Sequence, residues 1–343
     1  MEQHNFFINR RTSLKLVLHF TNKLNYYTLM KKYNQIIAIV ISICTFVTLS
    51  YSQKMNVHTN SGTSQFQLSG IDSITFSDII SDSISTIAFV KTVSGIKQIC
   101  TINTDGSNFT QLTSFTTNPT VLNKPSYSPD GSLIAFWLNT GSGINVWVMN
   151  SNGSNLHQLT FNNEAYIGER IAFSPAMDTV YYRRTTVAGA ASIWKIGING
   201  QNNGLFNDFT GNEFQITFVD HSYLLYDRFG GGIYKTNSLT DLTSTLLISG
   251  GQWPATNYNL TKIAYCYYGG GTNVGKTYIA NIDGSSPFLL SDEGSSNFAT
   301  MQSFTRDGQY VVYSVNSNIK IVKIDGTGLR TITTGDDPTV KPN

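Results

Sequence analysis

The sequence predicts an all-β protein, a six-bladed β-propeller with four-stranded antiparallel blades and a ring closed by the C-terminal strand. Three observations support this prediction. The 343 residues are 40% apolar and 12% aromatic but only 13% charged, and 29 are glycine, which favours short strands joined by tight turns. A short apolar triplet occurs six times at intervals of 39 to 48 residues, close to the length of a propeller blade. Glycine turns follow the triplets in phase.

Each triplet is predicted to lie in the second strand of a blade. The six copies are Ile87-Ala88-Phe89, Ile134-Ala135-Phe136, Val180-Tyr181-Tyr182, Leu224-Leu225-Tyr226, Ile263-Ala264-Tyr265 and Val311-Val312-Tyr313. Turn-forming residues precede them, as in Ser128-Pro129-Asp130-Gly131 and Thr305-Arg306-Asp307-Gly308. Such a turn would join the inner strand of a blade to its second strand.

A second turn is predicted between the third strand and the outer strand. Gly106, Gly153 and Gly200 are spaced 47 residues apart, and Gly284 and Gly326 are 42 apart. Each follows Asp or Asn, and such pairs supply the positive φ that tight hairpin turns require. One blade lacks this glycine. The repeat therefore contains four strands: an inner, a second, a third and an outer strand.

The sequence of these elements resembles the WD-like repeat of TolB-type six-bladed β-propellers. The matching order is Ser-Pro-Asp-Gly, Ile-Ala-Phe, Asp-Gly-Ser-Asn and Gln-Leu-Thr, and the resemblance covers residues 87–343. It implies a secreted bacterial propeller. The α/β domain that precedes the propeller in TolB has no obvious counterpart in this chain, so the Tol role does not carry over.

Ring closure is predicted at the C-terminus. The tail Pro338–Asn343 echoes Pro119–Ser126, where an inner strand begins, and the first blade lacks an inner strand of its own. We expect the tail to supply that strand, because closure removes an exposed sheet edge that would promote aggregation.

Residues 1–52 are predicted to be a leader rather than part of the fold. Two lysines precede a 14-residue apolar run at residues 36–49, and small residues follow, as in a secretory signal peptide. Translation from Met30 is an alternative start, and an uncleaved membrane anchor is an alternative to cleavage. We expect an exported protein, periplasmic or extracellular.

The rest of the chain is predicted to divide into a hairpin or cap and the propeller. The first spans residues 53–83, with strand-like pieces at 64–68 and 74–76, and the propeller spans 84–343. Removing the leader changes the net charge from +2 to −3. No basic arm remains, so we expect neither nucleic acid nor an anionic membrane as a partner.

The segment Gly270–Thr277 (GGTNVGKT) satisfies the spacing of a nucleotide-binding P-loop. A P-loop needs a following helix whose N-terminus meets the phosphates. The residues after Lys276 alternate like a strand, so we interpret the segment as a glycine-rich hairpin loop and expect no nucleotide. No histidine or cysteine spacing suggests a metal site, and we expect no cofactor.

Two cysteines remain after the leader, Cys100 and Cys266. Each lies in an apolar strand pattern, which favours buried free thiols. A disulfide is the alternative in an exported protein.

Candidate ligand-binding residues lie at the start of the inner strands, which line the central funnel of a propeller. Alignment on the triplets places Lys124, Arg170, Phe214, Trp253, Met301 and Lys341 at one position, and Asn123, Glu169, Glu213, Gln252, Thr300 and Val340 just before it. The blades differ here although their repeats otherwise agree. Six candidates combine groups suited to a peptide or sugar: Lys124, Glu169, Arg170, Glu213, Gln252 and Trp253. Solvated loop ends are the alternative interpretation.

Two functions are compatible with these patterns. The first is a non-catalytic, monomeric propeller that binds an envelope or extracellular protein or glycan, because the sequence contains no catalytic motif. The alternative is an enzyme acting on polysaccharide, a lyase or hydrolase with its site in the funnel. Glu169 and Glu213 would then transfer protons, and Lys124 and Arg170 would contact substrate charge.

Overall fold

The computed structural model describes residues 54–59, 62–67, 84–141, 143–161, 169–185, 191–207, 213–228, 230–267, 275–294 and 299–342. The chain forms two compact units, Met1–Ile79 and Ile80–Asn343. The predicted leader, residues 1–52, lies outside the described residues.

The first unit contains a two-stranded hairpin. Strand β1 (Lys54–Thr59) pairs antiparallel with β2 (Gly62–Gln67), and Met55 lies opposite Phe66. Of the strand-like piece predicted at residues 64–68, residues 64–67 lie in β2, and residue 68 lies outside the described residues. The piece predicted at 74–76 lies outside the described residues.

The second unit contains six four-stranded sheets, the blades of the propeller. In chain order its strands are β3 (Thr86–Val93), β4 (Ile96–Asn103) and β5 (Thr110–Gln111) in blade 1; β6 (Val121–Tyr127), β7 (Leu133–Asn139), β8 (Asn145–Asn150) and β9 (His157–Gln158) in blade 2; β10 (Ala172–Phe173), β11 (Thr179–Thr185), β12 (Ala191–Gly197) and β13 (Gly204–Asn207) in blade 3; β14 (Glu213–Val219), β15 (Tyr223–Arg228), β16 (Gly232–Thr236) and β17 (Ser244–Ser249) in blade 4; β18 (Gly251–Thr256), β19 (Lys262–Tyr267), β20 (Lys276–Asn281) and β21 (Phe288–Asp292) in blade 5; and β22 (Ala299–Phe304), β23 (Tyr310–Val315), β24 (Asn318–Lys323) and β25 (Arg330–Thr334) in blade 6.

The C-terminal strand β26 (Asp336–Val340) completes blade 1 and closes the ring, as predicted. The order in that sheet is β26-β3-β4-β5, and the other five blades follow chain order from the inner strand outward. Thr339 lies opposite Ala88, and the Lys341 N–H donates to the Thr86 carbonyl at 2.7 Å. The prediction of an all-β, six-bladed ring is confirmed.

The register of the closing strand differs from the one predicted. Thr339 pairs with Ala88 as Ser126 pairs with Ala135 in blade 2, so Pro338 corresponds to Pro125 rather than to Pro119. Lys341 therefore lies beyond the end of β26. Asp337 occupies the inner-strand position at which the alignment on the triplets places Lys341. The echo at Pro119 misled the alignment because both segments read Pro-Thr-Val.

The apolar triplets form the cores between neighbouring blades. Ile134, Ala135 and Phe136 have no exposed surface. The rings of Trp137 in blade 2 and Tyr182 in blade 3 pack in a T-shaped, edge-to-face arrangement, with ring centroids 6.0 Å apart. Each large apolar side chain buried in this way contributes about 1.5–3 kcal/mol to stability. Blade-to-blade packing therefore fixes the ring.

The Asn-Gly turn of blade 2 also lies against the preceding blade. Gly153 has a φ of 85°, and a Cβ there would lie 2.5 Å from the Leu112 carbonyl oxygen of blade 1. Gly106 has a φ of 89° and open space around the same position. Glycine is therefore needed at 153 for both backbone conformation and close approach.

Two further predictions can be compared with the structure. Cys100 and Cys266 are buried and form no disulfide, as predicted. Strand β20 begins at Lys276, so a strand rather than a helix follows the P-loop-like spacing. Among the residues described, no helix is long and apolar enough to cross a membrane.

Candidate functional site

Each propeller blade presents its inner strand to the central channel, and five inner strands carry a β-bulge at corresponding places. The register shifts lie between Asn123 and Ser126, Glu213 and Ile216, Gln252 and Ala255, Thr300 and Ser303, and Asp336 and Thr339. A bulge bends its strand and re-aims the side chains beside it. Four bulge residues have positive φ, between 53° and 58°: Lys124, Trp253, Met301 and Asp337. This backbone repeat positions the candidate site.

The strand pairing defines which residues occupy the repeated bulge position. They are Lys124, Arg170, Gln215, Trp253, Met301 and Asp337. Four of these match the alignment on the triplets. In blade 4 the alignment is wrong by one residue, because Thr217 pairs with Leu225 across a turn one residue shorter than in blade 2. Gln215 therefore replaces Phe214, and Glu213 lies two residues before the bulge position, opposite Arg228.

Arg170 crosses the channel. It starts in blade 3, and its Nη1 donates to the Gln302 carbonyl at 3.0 Å, while Nη2 donates to the carbonyls of Met301, at 3.1 Å, and Pro338. These acceptors belong to blades 6 and 1, on the other side of a six-bladed ring. Burial lowers the pKa of Arg170 to about 10, and Asp337 opposes this shift. Arg170 therefore remains charged at neutral pH and narrows the channel at this level.

Lys124 and Glu169 form an ion pair between blades 2 and 3. Their side chains are 17% and 11% exposed, so the pair is accessible only at its edge. The backbone N–H of Lys124 donates to Asp337 Oδ2 at 3.1 Å, and Trp137 Nε1 donates to the Glu169 carbonyl at 2.9 Å. Burial raises the pKa of Asp337, although Lys124 and Arg170 lower it. Each positive charge in this region therefore has a carboxylate near it: Lys124 has Glu169, and Arg170 has Asp337.

Asp227 is a buried carboxylate that the sequence did not reveal as a candidate. It lies at the end of β15 with no exposed surface and accepts the backbone N–H groups of Gln215 at 2.7 Å and Trp253 at 2.9 Å. It thus links the bulges of blades 4 and 5. Burial raises its pKa to about 7 despite these two hydrogen bonds, and the charge of Glu169 adds to the increase. An aspartate directly after an apolar triplet is the signal that sequence reasoning missed.

Several buried polar atoms on the inner strands have no hydrogen-bond partner among the described residues. They are Asn123 Oδ1, Arg170 Nε, Gln215 Oε1, Gln252 Nε2, Trp253 Nε1 and both amide atoms of Gln302. Folded proteins contain few such atoms, and each costs about 1–3 kcal/mol. These atoms cluster around the axis of the propeller. Packing between blades does not require unpaired polar atoms there.

The structure thus brings five of the six predicted site residues together around the start of the channel. We call the residues Lys124, Glu169, Arg170, Gln252, Trp253 and Asp337 the channel mouth. Within the described ranges no group of three or more His, Cys, Asp or Glu side chains is placed to hold a metal ion. What the channel mouth offers is hydrogen-bond donors and acceptors, an indole ring and balanced charge.

Comparisons with known proteins support the fold. Neither a protein-family model nor the sequence of a curated protein matches this chain. Among solved structures, TolB from Acinetobacter baumannii aligns with a TM-score of 0.64 at 18% identity, covering 76% of this chain and 67% of that one. A nidogen–laminin complex aligns with 0.59 at 10% identity, covering 75% and 98%. A putative TolB from Agrobacterium tumefaciens aligns with 0.52 at 14% identity, covering 75% and 97%. In its fold, the chain is a six-bladed β-propeller similar to the TolB structures.

Proposed function

We propose that this protein is an exported, non-catalytic propeller that binds a protein or glycan of the cell envelope at its channel mouth. The observation that carries the proposal is the set of buried polar atoms on or beside inner strands of five blades that have no partner among the described residues. A polar partner that opens the channel mouth far enough to reach these buried atoms would supply the missing hydrogen bonds, because unpaired donors and acceptors gain most from a new partner.

The charge balance supports recognition by hydrogen bonding rather than by net charge. Lys124 and Arg170 are offset by Glu169 and Asp337, and Asp227 is only partly ionised near neutral pH. A near-neutral surface gives little long-range attraction to either sign of charge. The partner is therefore expected to present amide or hydroxyl groups, as a polypeptide or a glycan does.

The test compares a channel-mouth variant with a matched variant on the opposite face. Lys124→Met/Trp253→Phe removes the cation and the indole N–H from the channel mouth. Lys323→Met/Tyr310→Phe makes the corresponding changes at a cation–aromatic pair in blade 6, where the two groups lie 6.0 Å apart near the Asp-Gly turn. Partners recovered from an envelope extract are identified and then titrated as purified components. The proposal expects binding to fall only in the channel-mouth variant, and equal binding by both variants would contradict it.

Export is a separate part of the proposal and has its own measurement. N-terminal sequencing of the protein recovered from its native cell should begin at Gln53, after the predicted signal peptide. A chain that keeps residues 36–49 and sediments with membranes would favour the uncleaved anchor. A chain recovered from the cytoplasm would contradict export.

An enzyme acting on polysaccharide is the second candidate, and Asp227 is the observation that favours it. A carboxyl group whose pKa is near 7 is suited to proton transfer at neutral pH. The Lys124–Glu169 ion pair instead commits Glu169 to a structural partner. Turnover of a polysaccharide that is lost in Asp227→Asn, under conditions in which thermal unfolding shows that the variant is folded, would support this candidate. Turnover by wild type and variant alike would exclude Asp227 as the catalytic group.

A further inference from the structure

A polar cleft opens between blades 1 and 2, apart from the channel mouth. Its walls are residues 114–120, which connect β5 to β6, and residues 139–141, at the end of β7. The cleft has a volume of about 300 Å³, which lies at the lower end of the range of small-ligand sites. This volume suits one or two small rings.

Hydrogen bonds from neighbouring residues fix the conformation of both walls of the cleft. Gln98 is 3% exposed, and its side chain accepts the Phe115 N–H at 3.1 Å and donates to the Phe115 carbonyl at 2.9 Å. Asn118 Oδ1 accepts the Lys97 N–H at 3.0 Å. On the other wall, Asn139 Oδ1 accepts the Gly141 N–H at 2.8 Å. The walls are therefore preorganised, which lowers the entropic cost of binding.

The same walls present polar groups that have no partner within the described part of the chain. The two asparagines use their oxygens to hold the loops, which leaves the amide nitrogens of Asn118 and Asn139 uncommitted. Five hydroxyl groups on the cleft walls make no hydrogen bond to any residue that the structure describes: those of Ser114, Thr116, Thr117, Thr120 and Thr140. A hydroxyl both donates and accepts, whereas the amide nitrogen only donates.

None of the described residues that line the cleft carries a charged side chain. Its apolar surface comes from the half-buried ring of Phe115 and from Pro119. A charged ligand would lose its hydration here without finding an opposite charge. An uncharged sugar has hydroxyls that donate and accept, and a C–H face that can lie against an aromatic ring. We propose that this cleft is a binding site for a neutral saccharide.

The test uses substitutions that keep the loops intact. In Asn118→Asp/Asn139→Asp each remaining oxygen can still accept the loop N–H, but the NH₂ donor becomes a carboxylate oxygen. The control is Asn152→Asp in a turn of blade 2, where Oδ1 accepts the Ser154 N–H at 3.0 Å. Asp105 already occupies the corresponding place in blade 1 and accepts the Ser107 N–H at 2.9 Å. The control is therefore expected to fold normally.

Binding is measured by calorimetry with neutral hexasaccharides of glucose, mannose and xylose, and with an oligogalacturonate as the acidic comparison. We expect at least one neutral sugar to bind. The double variant should bind that sugar at least about tenfold more weakly than the wild type. Asn152→Asp should bind as the wild type does. A second variant, Thr116→Val/Thr117→Val, should also lose affinity. The proposal would be overturned if no neutral sugar binds or if only the acidic sugar binds. It would also be overturned if both cleft variants bind the neutral sugar with unchanged affinity.

Discussion

Replacing the buried carboxylate of Asp227 by an amide should change how the stability of the propeller depends on pH. Asp227 accepts two backbone N–H groups from adjacent blades and has no exposed surface. Its pKa is raised from the ordinary value of 3.8 to about 7, mainly by burial. The folded protein therefore holds this proton over a pH range in which the unfolded chain has lost it. Stability contributed by protonated Asp227 is present below pH 4 and is lost as pH rises through 7.

The size of this effect follows from the two pKa values. Raising the pKa of Asp227 from 3.8 to about 7 corresponds to about 4 kcal/mol of folding stability that is lost once the pH is well above 7. This figure is an upper bound, because the surroundings of the group relax when it ionises. Between pH 5 and pH 8 the loss is roughly 2–3 kcal/mol. Asp227→Asn removes this dependence. It also leaves one N–H group unpaired, at a cost of about 1–3 kcal/mol that does not vary with pH.

The assay is thermal unfolding of both proteins at pH 5 and pH 8. The Tm of Asp227→Asn minus the Tm of the wild type should be about 5–10 °C higher at pH 8 than at pH 5. The control is Asp283→Asn in an exposed turn, where the Ser285 hydroxyl lowers the pKa of the carboxyl. That variant should show no gain, because the Asp283 carboxyl is ionised in both the folded and the unfolded chain throughout pH 5 to pH 8. A Tm difference between Asp227→Asn and wild type that stays constant from pH 5 to pH 8 would refute the reasoning.

Three further predictions concern the ring itself. Deleting residues 337–343 should lower the Tm sharply, because blade 1 loses its inner strand, and an unchanged melt would count against closure by the tail. Gly153→Ala should destabilise the fold by about 1–3 kcal/mol more than Gly106→Ala in chemical denaturation, because only position 153 meets a neighbouring backbone; equal losses would contradict the packing argument. Cys100 and Cys266 should react with a thiol reagent only after unfolding, since burial raises their pKa values to about 11 and about 12. Rapid labelling of the folded protein would show that the thiols are accessible.

The repeat unit was predictable because each of its elements has a local cause. The apolar triplets need burial, and the Asp-Gly turns need positive φ, so both are visible without knowledge of neighbouring blades. Ring closure was predictable too, because the first blade lacks an inner strand. The tail register was not, since the Pro-Thr-Val segment at Pro338 repeats the one at Pro119, whereas the strand pairing aligns Pro338 with Pro125.

The candidate site was predictable only in part, because its geometry depends on contacts between blades. Lys124, Trp253 and Gln252 were found because they follow the common repeat spacing. Gln215 was missed because the turn in blade 4 is one residue shorter. The role of Asp227 depends on the N–H of Trp253 in the next blade, and that of Arg170 depends on carbonyls across the channel. No single repeat contains that information.

The most direct test of the account is to locate where a partner contacts the propeller in the intact cell envelope. A photo-crosslinking phenylalanine analogue replaces Trp253 at the channel mouth in one protein. In another it replaces Tyr258, which is 45% exposed in the turn between β18 and β19. The account predicts a crosslinked adduct from position 253 and none from position 258. An adduct formed only from position 258 would place the binding surface on the opposite face and contradict the central claim.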